Sequence, residues 1–131
     1  MAWRHYGGNK YGNHKVVVDG SVYDSKKEAR RWLELKCWES HGVIKDLERQ
    51  KKFVLIPAQF EPDTIGPRGG RKRGKLLEHE VAYYADFCYT DAQTGEHIVE
   101  DAKSPITREN AQYIIKRKLM LYIHHIRIRE V

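Results

Sequence analysis

Two runs rich in β-forming residues, His79 to Tyr89 and Glu96 to Lys103, are joined by Asp91-Ala92-Gln93-Thr94-Gly95-Glu96. If Asp91 and Glu96 close a four-residue loop, Gly95 takes the left-handed position such loops favour. That closure sets the pairing of the hairpin. Opposed residue numbers then sum to 187, as those of Asp91 and Glu96 do. Asp86 falls opposite Asp101 and Tyr84 opposite Lys103. Side chains alternate faces with period two, so Asp86, Asp101 and Lys103 share one face. Opposed β-carbons stand about 4.5–5.5 Å apart, a separation at which two carboxylates repel. A divalent cation between them removes the objection, and oxygen-only ligands suit Mg²⁺. Lys103 adjoins the pair and is placed to orient or deprotonate a water there. Two other readings stay open. A register slip of one residue sets Glu100 beside Asp86 and turns Lys103 to the other face. The aspartates could also end their strands in solvent as ordinary ion pairs. Their surroundings favour the first reading. Asp86 interrupts the apolar strand Val81-Ala82-Tyr83-Tyr84-Ala85…Phe87-Cys88-Tyr89, and Asp101 follows Ile98-Val99, where an uncompensated charge is costly.

The remaining elements can be placed around this hairpin. Val16–Val18 and Ser21–Tyr23 flank Asp19-Gly20, a two-residue hairpin signal. Ser25-Lys26-Lys27-Glu28 has the form of a capping box. The helix it opens carries Ala29, Trp32, Leu33 and Leu35 and ends at Gly42, a natural residue just past a helix end. Phe53 to Phe60 reads as a strand, with Pro57 marking an edge or bulge. Thr107 suits a helix cap, and Arg108 to His124 continues as a helix with Ala111, Ile114, Ile115, Leu119 and Tyr122 as its stripe. Ile126-Arg127-Ile128-Arg129 alternates and closes the chain as a strand. The order after the first hairpin is αβββαβ, an α+β domain with a central mixed sheet flanked by helices. Its 131 residues fit one domain.

Charge points to a polyanion. Lys and Arg number 24 against 18 Asp and Glu, a net +6, and nucleic acid is the commonest partner of such a balance. The excess concentrates in Gly66 to Lys75, within a loop spanning 61–77. Arg68, Arg71, Lys72, Arg73 and Lys75 stand there among glycines and a proline with no apolar residue. This reads as a mobile loop, either a solvated connector or a grip on phosphates. Residues 1–13, with Trp3, Arg4, His5, Tyr6, Lys10 and Tyr11, read as a second aromatic and basic arm. Arg108, Gln112 and Lys116 recur every four residues, which makes either a solvated helix face or a phosphate-facing one. Cys37 and Cys88 are too few for a disulfide scaffold or a cysteine-rich zinc site. The seven histidines are scattered, and Cys88 reads as core. No apolar run approaches the roughly 18–20 residues of a membrane span, and no secretory signal is visible. The expected setting is the cytoplasm, with reduced thiols.

Tyr84-Ala85-Asp86-Phe87 followed by Asp101-Ala102-Lys103 resembles the PD-(D/E)xK nuclease superfamily. That superfamily sets an aspartate on one strand and an acidic-x-Lys on the next within an αβββαβ core. Tyr11-Gly12-Asn13, Ser25 to Arg31 and Phe53-Val54-Leu55-Ile56-Pro57 are similar to a family of small phage and prophage proteins assigned to it. The proline that usually precedes the first aspartate is Ala85 here. The resemblance implies a restriction-endonuclease-like fold and metal-dependent cleavage of a phosphodiester. It implies that Asp86, Asp101 and the Ala102 carbonyl hold Mg²⁺, or Mn²⁺ in its place, and that Lys103 positions the attacking water. The family often adds a glutamate from the first helix, which matches Glu28. Glu28 is also the capping-box residue of Ser25, and the two roles compete. Similarity to RecU-like Holliday junction resolvases extends the expectation to branched DNA, recombination, a phage-infected host cytoplasm and a homodimer. The rival reading is a non-catalytic nucleic-acid-binding domain that retains the nuclease fold. It needs the basic surfaces but not Asp86, Asp101 and Lys103 together.

Overall fold

The chain enters as β1 (Arg4–Gly8), which pairs antiparallel with β2 (His14–Val18), and turns at Gly20 (φ +80°) into β3 (Ser21–Tyr23). The computed structural model describes residues 4–8, 14–18, 20–23 and 25–131. Part of the expected N-terminal arm is therefore a strand, since β2 offers it an open edge. The rest of that arm lies outside the described residues.

Helix α1 (Lys26–Ser40) begins where the capping box places it, with Ser25 Oγ accepting the Glu28 N–H at 3.1 Å. It ends before Gly42, whose φ of +73° is open only to a residue that tolerates the left-handed region. Next comes β4 (Ile44–Ile56), which adds a charged first half to the strand expected over Phe53 to Phe60 and stops at Ile56, before Pro57, with Gln59-Phe60 in a separate strand. Lys45 to Lys52 carries few β-formers, so the sequence does not mark it. It is drawn into the sheet by the apolar strand β9 (Val81–Asp91), with which it pairs antiparallel. β4 is the edge strand that Pro57 suggested.

Between β4 and β9 the chain makes a folded excursion. Strands β5 (Gln59–Phe60), β6 (Thr64–Ile65), β7 (Arg71–Lys72) and β8 (Leu76–Glu78) nest as two antiparallel ladders, β5 with β8 and β6 with β7. The basic segment is thus a hairpin where the sequence suggests an irregular loop. Asp63 holds it, accepting from Arg71 Nε at 2.6 Å and from the Gly74 N–H at 2.9 Å. Gly74 is needed for close approach, because a β-carbon there would stand 1.8 Å from the Glu61 carbonyl oxygen.

β10 (His97–Asp101) pairs antiparallel with β9, and α2 (Pro105–Arg108), α3 (Ala111–His124) and β11 (Arg129–Glu130) follow. The single helix expected from Arg108 is divided. Asn110 caps α3 by accepting the Tyr113 N–H at 3.1 Å, and Ser104, not Thr107, caps the preceding turn. The sheet order is β11-β10-β9-β4, with β11 parallel to β10 and the other pairs antiparallel. Among the described residues no helix is long and apolar enough to cross a membrane.

The central sheet is covered on both faces. Leu35, Trp32 and Trp38 of α1 pack on Ile44, Phe87, Tyr89 and Ile98. Tyr113, Leu119 and Met120 of α3 pack with Leu55, Tyr83, Ala85, Val99 and Ile128 on the other face. Trp32 also reaches the small cluster of Val16, Val18, Tyr23 and Ala29, which joins the N-terminal sheet to α1. A buried ion pair crosses the α1 layer. Glu100, 1% exposed, accepts both Arg31 Nε and Nη2 at 2.7 Å and also the Tyr89 hydroxyl. Removing one member of a buried pair leaves the other charge uncompensated. Arg31→Ala is therefore expected to cost about 3 kcal/mol in urea unfolding, whereas replacing Arg31 and Glu100 together by Met recovers most of that loss.

Candidate active site

The hairpin register is the one the Asp91–Glu96 closure requires. Thr90, Tyr89, Cys88 and Phe87 oppose His97, Ile98, Val99 and Glu100, and Gly95 has φ +76°. The Asp91 N–H donates to the Glu96 carbonyl at 2.9 Å. The slipped register is thereby excluded, because Glu100 opposes Phe87 and its carboxylate is spent on Arg31. Continuing the ladder one step brings Asp101 to Asp86 at the point where the strands part.

Both aspartates are buried, Asp101 at 1% exposure and Asp86 at 9%. Asp86 Oδ2 accepts the Ala102 N–H at 2.9 Å, so the backbone just past β10 ties the two strand ends together. Asp101 Oδ2 accepts the buried Tyr83 hydroxyl. Asp101 Oδ1 has no hydrogen-bond partner although it is fully enclosed, and the Lys103 ammonium stands 3.4 Å from it. Lys103 in turn lies 5.2 Å from the centre of the Tyr113 ring. The Lys103 carbonyl accepts Lys27 Nζ at 3.2 Å, linking the first turn of α1 to the segment after β10.

Glu28 joins this group. Its backbone serves the helix cap, while its carboxylate is 3% exposed and turned toward β4. Glu28 Oε1 lies 3.3 Å from Gln50 Nε2 and 3.5 Å from Arg49 Nη2. The main chain of Glu28 thus serves the cap while its carboxylate meets Gln50 and Arg49. Gln50 Nε2 also donates to Asp86 Oδ1 at 3.2 Å. This amide bridges two carboxylates from different elements, yet nothing in the sequence marks Gln50, which sits in a charged stretch. The signal lies in the backbone. Gln50 has φ +52°, uncommon for a residue with a side chain and a conformation costing about 1–3 kcal/mol. The facing strand is irregular at the same row. Ala85 and Cys88 both enter the cluster beneath α3, so strict alternation breaks across Asp86.

The other expected residues lie apart from this centre. Arg71 is paired with Asp63, and the Arg73 guanidinium lies 4.0 Å from the centre of the Phe60 ring. Arg68, Lys72 and Lys75 make no ion pair among the described residues. Arg108, Gln112 and Lys116 do not form one helix face, because Arg108 belongs to α2 and pairs with Glu130 at 3.0 Å. Cys88 fills core as expected.

Electrostatics follow from the burial. Desolvation, then the hydrogen bond and charge of Asp101, push the Asp86 carboxyl up to about 8, against the opposing pull of the Ala102 N–H and Lys103. Burial likewise raises the Tyr83 phenol, so it stays a donor to Asp101. Among the described residues, no three His, Cys, Asp or Glu side chains stand as a ready ligand set. The donors nevertheless fit a hard divalent cation. They are carboxylate oxygens, one of them enclosed and without a hydrogen-bond partner.

This sets a pH dependence. Between about pH 4 and pH 8 the folded chain holds a proton on Asp86 that the unfolded chain has released. Stability of the metal-free protein therefore falls as pH rises across that window. Asp86→Asn cannot ionise, so its thermal midpoint in chelator should lose that fall and exceed the wild-type midpoint at pH 8. Parallel curves for the two proteins from pH 4 to pH 8 would contradict this.

The family described as "Protein of unknown function (DUF1064)" matches residues 8–130. No curated protein and no solved structure matches the chain. The family match takes in the first hairpin, α1, the charged edge strand and both aspartates, and the chain belongs to that family.

Proposed function

We propose that this protein is a Mg²⁺-dependent endodeoxyribonuclease of the PD-(D/E)xK type that hydrolyses phosphodiester bonds in branched or otherwise structured DNA. One observation carries the reading. Asp86 and Asp101 are buried side by side at the parting of β9 and β10, with one enclosed carboxylate oxygen that accepts no hydrogen bond among the described residues and is met by the Lys103 ammonium at 3.4 Å. A sheet gains nothing from that arrangement, and a cation resolves it. The order helix, three antiparallel strands, helix and parallel strand supports the same reading.

Asp86 and Asp101 would hold the ion, with Glu28 on the Gln50 side of the site and the Ala102 carbonyl beside them. When bound, the ion supplies charge neutralisation to the scissile phosphate and Lewis acidity toward water. The chain's own residues do the positioning. Tyr83 and the Ala102 N–H fix the two carboxylates by hydrogen bonds. Lys103, held between Asp101 and the Tyr113 ring, orients the attacking water in line with the leaving oxygen. The product ends would be a 5′-phosphate and a 3′-hydroxyl. The basic hairpin would grip a duplex arm.

A panel of junction, flap, duplex and single-stranded DNA, with and without Mg²⁺, tests the activity. Asp86→Asn and Asp101→Asn should each reduce cleavage on the order of 10³-fold while the fold persists. Wild-type cleavage by either variant would refute the assignment. DNA binding with no metal-dependent cleavage of any substrate would favour a non-catalytic domain instead.

The hairpin makes a separate prediction. Arg71 and Arg73 are engaged within it, so Arg68, Lys72 and Lys75 are the side chains free for phosphates. Each neutralised phosphate contributes about −0.9 to the slope of log affinity against log salt. Replacing Arg68, Lys72 and Lys75 by Ser should flatten that slope by about 2 to 3 and leave the thermal midpoint nearly unchanged. An unchanged slope would show the hairpin to be a connector.

A further inference from the structure

We infer that Gln50 is a positioning residue that docks the helix-borne carboxylate of Glu28 onto the strand-borne carboxylate of Asp86, and so brings a third acidic arm to the cation site. The inference rests on the metal-dependent reading above and adds to it a residue that no sequence motif marks.

Three observations carry it. Gln50 and Asp86 stand at the same level of the two strands, flanked by the ladder pairs Arg49 with Phe87 and Lys51 with Ala85. Asp86 in turn lies next to Asp101, so one row across three strands reads Gln50, Asp86, Asp101. The single amide nitrogen of Gln50 reaches both carboxylates, Glu28 Oε1 at 3.3 Å and Asp86 Oδ1 at 3.2 Å. Finally, the backbone at Gln50 is left-handed at φ +52°, although Arg49 and Lys51 on either side keep their partners Phe87 and Ala85. A strand left to itself does not choose that conformation for glutamine. Such outliers persist where surrounding contacts over-determine them, and they gather at functional sites. Here the contacts are two buried acids that need a neutral donor between them. A lysine in the same place would compete with the cation by its charge, and an aliphatic residue would remove the one donor that Glu28 and Asp86 share, leaving Glu28 to Arg49 and Asp86 to the Ala102 N–H. An amide orders them without neutralising them, and ligating carboxylates are commonly steadied by hydrogen-bond partners of this kind.

The backbone conformation also supplies a clean test. Glycine accepts φ +52° without strain, so Gln50→Gly removes the amide while easing the fold. Mn²⁺ is titrated into the full chain, followed by loss of the free-ion electron paramagnetic resonance signal, with thermal midpoints in chelator as the fold control. Gln50→Gly should keep or raise the midpoint and bind Mn²⁺ about 10- to 100-fold more weakly. Gln50→Met, close in length and lacking donors, should lose affinity to a similar degree and covers the case in which the glycine variant does not fold. Combining Gln50→Gly with Glu28→Gln should cost much less than the two losses multiplied, because the amide acts partly through Glu28. Affinity within twofold of wild type in Gln50→Gly or Gln50→Met, with Asp86→Asn unable to bind Mn²⁺, would overturn the role of Gln50 and leave the nuclease reading intact. Fully multiplicative losses in the double variant would overturn it too. Undiminished Mn²⁺ binding by Asp86→Asn would remove the metal site itself, and this inference with it.

Discussion

Two carboxylates buried beside one another at the parting of β9 and β10 are the interaction around which this structure is arranged. Ionised acids are expensive inside a sheet, and two together more so. The fold answers with partners drawn from different places: the Ala102 N–H and the Gln50 amide donate to Asp86, the Tyr83 hydroxyl donates to Asp101, and the Lys103 ammonium forms an ion pair with it. The donors come from β4, β9 and the segment after β10. This cluster therefore forms only when β4, β9 and β10 are in register.

Adjacent residues of β10 show how differently a fold can treat one kind of side chain. Glu100 and Asp101 are both about 1% exposed. Glu100 faces α1 and is met by a two-pronged guanidinium and a phenol. It is a satisfied acid, and its work is to seat α1, which also carries Glu28. Asp101 faces the other way and keeps one enclosed oxygen without a hydrogen-bond partner. Burial alone does not distinguish a structural acid from a candidate ligand. What distinguishes them is the state of their oxygens. The same division runs through the basic hairpin, where Arg71 and Arg73 meet Asp63 and Phe60 while the exposed Arg68, Lys72 and Lys75 make no ion pair among the described residues.

Much of this was legible in the chain. The Asp91 to Glu96 connection carried the register of the central hairpin, because Gly95 left one favourable way to close it. Ser25 and Gly42 marked both ends of α1, and Asp19-Gly20 marked the first hairpin. Two acids and a lysine in an apolar setting were enough to point to Asp86, Asp101 and Lys103. The charged half of β4 was not legible, since it is a strand only by virtue of the partner it pairs with. Nor was the break at Glu109-Asn110, where Asn110 caps α3 afresh just before the apolar stripe begins at Ala111. The basic segment looked irregular because its order comes from one aspartate and one glycine, not from apolar residues.

By itself, then, the sequence determined what local chemistry can determine: where helices start and stop, how a tight hairpin closes, and which acids that hairpin brings opposite each other. The tertiary structure alone decided that Glu28 turns its carboxylate to the site while its backbone caps a helix. It alone decided that Gln50 takes up a left-handed conformation to bridge Glu28 and Asp86. The physical reason is that these contacts join residues far apart in the chain. Their cost is borne locally, in backbone strain and desolvation, whereas their compensation appears only when the separate strands and the helix have come together.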